Sequence, residues 1–258
     1  MGVSRLTGVQ NEINSWYTNK AVIHQIRNIT YSRETKWQII LPSKNLWGIR
    51  HRFLGSIEYL EKELAILDIH NRPVGMMVGT QEINWSNIPP ADHPPSKLIS
   101  NGSLNSDLKN YNYAWKDIIQ DPDVAEIGNQ IMVFDFDDTK DVRIAFDNAL
   151  LIYNYLKERD INPSFIFSGN KGFHIWVHPE DIQKLIPVEV MTKVHTLQSW
   201  GRLLASQVKE IVLEVLGSEH PVSDLSPNYM QGMVRRPYSI HEKSGQIVWP
   251  TDLTEIEK

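Results

Sequence analysis

The sequence predicts an α+β fold, a mixed sheet with helices packed on it, and three observations carry that expectation. An apolar run at Ile131–Phe136 has strand character and is followed at once by residues recurring at helical spacing. Two further short strand patterns then flank a glycine-containing turn at 168–172. A long amphipathic pattern at about Val190–Leu216 supplies a second helix.

Taken in order, Trp37–Leu41 reads as a strand stopped by Pro42, and Ile57–Leu67 as a helix with apolar positions at Ile57, Leu60, Leu64 and Leu67. Val74–Val78 reads as a strand. Ile88–Asn112, with two Pro-Pro pairs, is the most loop-like stretch, either a surface excursion or a seam between two halves. After Asp138, the residues Val142, Ala145, Phe146, Ala149, Ile152, Tyr153 and Leu156 form one helical stripe that stops before Pro163. Ser164–Phe167 is the next strand. Phe173–His178 follows as another, alternating Phe173, Ile175 and Val177 against His174, Trp176 and His178. Val194, Leu197, Leu204, Val208, Ile211 and Val215 make the core stripe of the last helix, and Gly217 is its expected C-cap. The reading is a single domain over 1–258, with an N-terminal half, 1–128, and a second half, 129–258, that carries the chemistry.

Bulk properties narrow the function. With 258 residues, 41% hydrophobic and 22% charged, the chain has ample core for a soluble globular protein. No apolar run approaches a membrane span, and Met1–Thr18 lacks an export pattern, so an intracellular (cytoplasmic or nucleoid) protein with no membrane partner is expected. The absence of Cys excludes disulfides and thiolate metal sites. A net charge of −5 excludes an indiscriminate basic coat for nucleic acid but leaves room for a local basic groove.

Three segments carry chemistry. In Ile131-Met132-Val133-Phe134-Asp135-Phe136-Asp137-Asp138, Asp135 and Asp137 share a strand face with Ile131 and Val133. Two carboxylates so placed suit a divalent cation completed by water and substrate phosphates. Aspartates after a strand also form turns or cap helices, a role that fits Asp138 and Thr139 better than the pair inside the apolar run. The turn Ser168-Gly169-Asn170-Lys171-Gly172-Phe173-His174 can bring backbone N–H groups, Ser168, Lys171 and His174 to phosphate oxygens, or be an ordinary hairpin. A third segment starts at Asp224 and runs through Arg235, Arg236 and His241 to Lys243 and Gly245. Its cations suit a triphosphate, or a solvated basic hairpin.

Together these segments resemble the three motifs of the archaeo-eukaryotic primase superfamily: strand-DxD, then S-G-x-x-G-x-H, then a later Asp with R-x-P-Y-S-x-H-x-K-S-G. The chain is similar to the catalytic small subunit of archaeal and eukaryotic primase. The likeness is strong from Ile131 onward, including Ser239–Pro250, and weaker around Arg33-Glu34 and Ile49–Phe53. The resemblance implies a primase catalytic core of mixed sheets, with an RRM-like catalytic half, flanking helices and no zinc module. It implies a primer-synthesising nucleotidyltransferase on single-stranded DNA, using NTP or dNTP and a two-metal Mg²⁺ or Mn²⁺ site held by Asp135, Asp137 and Asp224. Ser168, Gly169, Lys171, Gly172 and His174 would contact the triphosphate, with Arg235, Ser239, His241 and Lys243 completing its cradle. Arg50, Arg52 and Arg236 are further candidates. Trp37, Trp47, Trp85, Trp115, Trp176 and Trp249 are candidates for stacking template bases, although tryptophans mostly pack in cores.

Two departures bear on activity. The family's usual Cys/His zinc module has no counterpart in a chain without Cys, and the chain ends soon after the third motif. Both features resemble compact primases and ligase-associated polymerases, so priming and primer extension both stand. The acidic balance predicts weak template affinity for the chain alone, and a large primase subunit or fused accessory domain is the expected partner. Two other classes remain. Asp135-Phe136-Asp137-Asp138-Thr139 matches the DxDxT start of haloacid-dehalogenase-like phosphatases with Asp135 as nucleophile, but no cap insertion or later paired acidic motif follows. A non-catalytic nucleic-acid-binding replication module would have little use for three clustered carboxylates.

Overall fold

A computed structural model describes residues 15–17, 19–30, 33–40, 46–52, 72–84, 99–100, 103–104, 121, 123–137, 141–217, 224–230, 232–241, 244–251 and 253; within these, 23, 27–30, 34–40, 46–52, 72–74, 99–100 and 103–104 are described by backbone alone. In chain order the elements are α1 (Lys20–Thr30), β1 (Arg33–Ile40), β2 (Leu46–Arg52), β3 (Arg72–Glu82), β4 (Ile99–Ser100), β5 (Ser103–Leu104), β6 (Met132–Asp137), α2 (Val142–Lys157), β7 (Ser164–Phe167), β8 (Gly172–Val177), α3 (Pro179–Ile182), α4 (Val188–Met191), α5 (Leu197–Leu216), a 3₁₀ turn (Ser226–Asn228), β9 (Met233–Arg235) and β10 (Trp249–Pro250). The helix expected at Ile57–Leu67 lies outside the described residues.

The described strands form two four-stranded sheets, ordered β2-β1-β3-β9 and β10-β7-β8-β6, with β4 and β5 as a separate pair. Every strand pairing among the described residues is antiparallel. The pair β4–β5 falls within the stretch read as loop, and strands this short carry no periodicity to detect.

Strand alternation explains the layering. On β6, Met132, Phe134 and Phe136 face the helices, and with Ile175 and Val177 of β8 they pack on Ala149, Ile152 and Leu156 of α2 and Trp200, Leu204 and Val208 of α5. The opposite face of β6 sends Ile131 and Val133, with Ile166, Trp176 and Val248, against Val78 of β3 and Val234 of β9. Helices, second sheet and first sheet therefore stack as three layers with two apolar seams. Each fully buried aliphatic or aromatic side chain in them contributes roughly 1.5–3 kcal/mol.

The long helix expected from Val190 to Leu216 is broken. α4 ends at Met191, and α5 begins only at Leu197. The cause is a capping box: Thr196 is extended, its hydroxyl accepts from the Ser199 backbone N–H at 3.1 Å, and the Thr196 N–H donates to Ser199 Oγ at 3.2 Å. Apolar spacing runs through this break, so periodicity alone misses it. At the far end Gly217 takes a left-handed conformation, φ 68°, and its N–H returns to the Leu213 carbonyl, as the sequence predicts. Thr196→Ala is expected to cost about 1 kcal/mol, read as a lowered midpoint in chemical denaturation.

Candidate active site

The apolar seam between the two sheets changes character along its length. Opposite one another on β6 and β8 stand Val133 and Trp176, then Asp135 and His174, then Asp137 and Gly172. On β7, Ile166 lies opposite His174, and Ser168 follows two residues on. One strand face thus passes from Ile131, Val133, Ile166 and Trp176 to Asp135, Asp137, His174 and Ser168. That polar end opens into a cleft of about 320 Å³ whose remaining wall includes Lys171, Asp224, Arg235 and His241.

The turn between β7 and β8 is closed by the Ser168 N–H donating to the Gly172 carbonyl at 2.9 Å. Its glycines are required by close approach. Gly169 has φ 86°, and a Cβ there would lie 2.8 Å from His241 Cβ. A Cβ on Gly172 would collide with Asp137 Oδ1 and the Phe136 carbonyl oxygen. The turn is also tied to the 239–248 hairpin by the Ser244 hydroxyl, which donates to the Gly169 carbonyl. Within that hairpin the His241 N–H donates to Gln246 O at 2.8 Å, which holds the imidazole over the cleft.

Asp224 enters from the opposite side. Its two carboxylate oxygens accept from the Ser226 N–H and the Ser226 hydroxyl, each at 2.7 Å, so the side chain is oriented by the 3₁₀ turn that follows it. Burial, then the nearby Asp137 and Asp224 carboxylates, push Asp135 up to about 8, and Arg235 and Lys171 offset only part of this. His174 Nε2 lies 3.4 Å from Asp135 Oδ1. Burial pushes His174 down to about 4, so the imidazole is neutral at neutral pH and the contact is no salt bridge. Lys171 Nζ stands 3.3 Å from Asp137 Oδ2 at the cleft's rim, a half-exposed pair with little Coulombic gain in water.

The donor set fits a hard divalent cation, since three carboxylates, Asp135, Asp137 and Asp224, line one cleft. Among the described residues no three His, Asp or Glu side chains form a ready-made metal site.

No family model matches the chain. Among curated proteins it is similar to the DNA primase small subunit PriS of Pyrobaculum aerophilum, 26% identical over a 131-residue alignment covering 42% of this chain and 42% of that protein. The same subunit of Pyrobaculum arsenaticum is 27% identical over the same length, again covering 42% of each. The chain is a relative of the archaeo-eukaryotic primases. Its match spans less than half the length of these primase subunits. Among solved structures, the polymerase domain of Mycobacterium tuberculosis Ligase D, in complex with DNA, superposes with a TM-score of 0.60 at 13% identity, covering 98% of this chain and 85% of that one. That likeness is one of fold: helices on antiparallel sheets.

In this primase-related chain the structure gathers most of the expected residues and disperses a few. Asp135, Asp137, Asp224, Ser168, Lys171, His174, Arg235 and His241 line one cleft. Arg236 does not reach template or solvent: it is fully buried, donating to the Ile26 carbonyl at 2.8 Å and contacting Met76 Sδ at 3.0 Å. Arg236 follows the last residue of β9 and its guanidinium is taken up by Ile26 and Met76, so of the two arginines it is Arg235 that lines the cleft. Ser239 is likewise buried and donates to the Met76 carbonyl at 3.2 Å, away from the cleft lining. Trp176 is core, whereas Trp249 is half exposed and stacks edge-on with Tyr238, ring centroids 5.4 Å apart. Lys243, Trp85 and Trp115 lie outside the described residues, as do the side chains of Arg50, Arg52, Trp37 and Trp47. The backbone of Arg50 and Arg52 belongs to β2, three places from β9 in the sheet order.

Sequence reading missed Asn170, Ser226 and Met77, which also line the cleft. Asn170 sits within the recognised turn and Ser226 in an Asp-x-Ser pattern typical of side-chain-closed turns, so both carried a usable signal. Met77 carried none.

Proposed function

We propose that the chain is a template-directed nucleotidyltransferase of the primase–polymerase superfamily, joining nucleotides to a growing strand in the Asp135–Asp137–Asp224 cleft. The observation that carries this reading is the convergence of Asp135, Asp137 and Asp224 with Lys171, Arg235 and His241 on one cleft. A phosphatase with Asp135 as nucleophile is disfavoured, because no later paired acidic motif follows and Arg235 and His241 in the same cleft would be left without a role. A module that merely binds nucleic acid has no use for three carboxylates set against a polyanion.

In this reading the substrates are single-stranded DNA as template and a nucleoside triphosphate. The bond formed joins the strand's 3′ oxygen to the α-phosphorus, and the bond broken releases pyrophosphate. Asp135, Asp137 and Asp224 would hold Mg²⁺ or Mn²⁺, which supplies charge neutralisation for the entering and leaving oxygens. Lys171 and Arg235 bind phosphate oxygens, Lys as a point charge and Arg as a fork. The N–H groups of the 168–172 turn lie beside them, and its glycines let the phosphates approach the backbone. Neutral His174 stands 3.4 Å from Asp135 Oδ1 without adding a competing positive charge. A large primase subunit or fused domain would supply template grip.

The test is incorporation of labelled nucleotide on single-stranded DNA, with and without an annealed primer, in Mn²⁺, Mg²⁺ or EDTA. Incorporation that EDTA abolishes is the expected result. Products in the primer-free arm identify a primase, and products only on primed template identify a primer-extending polymerase. Absence of product in every arm, or full synthesis in EDTA, sinks the proposal.

A further inference from the structure

β6 is the edge strand of its sheet, pairing with β8 on one side only. The backbone N–H and C=O of Val133 that point away from β8 are buried, and an edge of this kind needs a partner. Asn228 supplies it. Its Oδ1 accepts the Val133 N–H at 2.8 Å, and its Nδ2 donates to the Val133 carbonyl at 2.7 Å, so one side-chain amide replaces a neighbouring strand. Asn228 is fully buried, and the clamped residue is two positions before Asp135 on the same strand face.

The other end of the same short segment holds Asp224. Between them runs the 3₁₀ turn Ser226–Asn228, whose first residue grips both Asp224 oxygens. The Asn228 carbonyl takes the Gln130 side-chain amide at 2.8 Å, and the Thr80 hydroxyl donates to the Pro227 carbonyl at 2.8 Å, so the turn is braced by β3 and by the residues leading into β6. The turn is therefore a rigid spacer with a carboxylate at one end and an amide clamp on the catalytic strand at the other.

We infer that Asn228 is a positioning residue that sets Asp224 at its working distance from Asp135 and Asp137, and so tunes divalent-cation affinity. The inference rests on the nucleotidyltransferase reading of the cleft. Among the described residues the turn's other braces act elsewhere: Thr80 and Gln130 hold it to β3 and to the start of β6 rather than to the carboxylate-bearing part of the strand.

The experiment compares the full chain with Asn228→Ala and with Asn228→Asp, which keeps the side chain's shape and its acceptor but loses the donor to Val133. Mn²⁺ binding in the presence of nucleotide is read by electron paramagnetic resonance, beside kcat, nucleotide KM and melting temperature. The expected result is Mn²⁺ binding weakened about 10–100-fold, as when partners that orient metal ligands are lost. A parallel fall in kcat is expected, with nucleotide KM changed by less than about threefold. Combined with Asp224→Asn, either variant adds no further loss, because both act through the same carboxylate. Lowered melting temperature with unchanged Mn²⁺ affinity and kcat would reduce Asn228 to a structural brace and overturn the inference. Additive losses in the Asp224→Asn background would do the same. A wild-type chain that neither binds Mn²⁺ with nucleotide nor incorporates it would remove the functional reading itself, and the inference with it.

Discussion

Asp135→Asn is expected to abolish nucleotide incorporation, a loss of about 10³-fold or more, while raising the melting temperature of the chain in EDTA. The two effects have one origin. Asp135 is buried beside Asp137 and Asp224, which pushes its pKa up to about 8. An unfolded-chain Asp titrates near about 3.9, so between these values the folded state holds a proton that the unfolded state has lost. The folded chain is therefore most favoured below about pH 4, and this contribution disappears as pH rises through about 8. Asn has no such titration, so the variant's advantage is absent at pH 4 and grows to on the order of a few kcal/mol by pH 8 to 9. Mn²⁺ should remove the advantage, because a bound cation reverses the local electrostatics. Melting curves of both proteins across this pH range, with and without Mn²⁺, read it directly. A variant less stable than wild type at pH 8 in EDTA would show that the cleft is not electrostatically strained.

Gly172→Ala is expected to damage both fold and site. Gly172 is an extended strand residue paired with Asp137, so its backbone conformation is open to alanine and the obstacle is space. The added methyl would collide with Asp137 Oδ1 and with the Phe136 carbonyl oxygen. The carboxylate could swing away only by leaving the site, and the carbonyl could yield only by parting β6 from β8. Overpacking of this kind costs about 1–3 kcal/mol. A displacement of about 1 Å at Asp137 lowers incorporation about 10²-fold. Denaturant unfolding and single-turnover incorporation measure the two effects. Wild-type stability together with wild-type rate would mean that the β6–β8 approach is looser than described.

Much of the second half was legible in the sequence because its signals are local. Strand alternation put Asp135 and Asp137 on the face of Ile131 and Val133, and β6 carries them there. The helical stripe from Ala145 to Leu156 is the buried face of α2, although Val142, the first residue assigned to it, is exposed. The Ser168–Gly172 turn and Asp224 were found by motif and meet in the cleft. What failed depended on partners distant in sequence. The break before Leu197 hides within an unbroken apolar pattern, because the Thr196–Ser199 capping bonds outweigh the continuity of the stripe. Arg236 and Ser239 belong to a recognised motif, yet their polar atoms are used by Ile26 and Met76.

The chain's own sequence thus determined which strand ends in carboxylates, which turn borders them and which later Asp joins them, because residue type and period-two alternation are local properties. Tertiary structure alone decided which of Arg235 and Arg236 enters the cleft, since the groups that take up Arg236, Ile26 and Met76, are distant from it along the chain. It also decided the role of Asn228, which reads as an ordinary turn residue until folding brings it to the open edge of β6, 95 positions away along the chain. A hydrogen bond across that separation leaves no periodicity in the sequence; it exists only once two sheets have packed and one strand edge has been left in need of a partner.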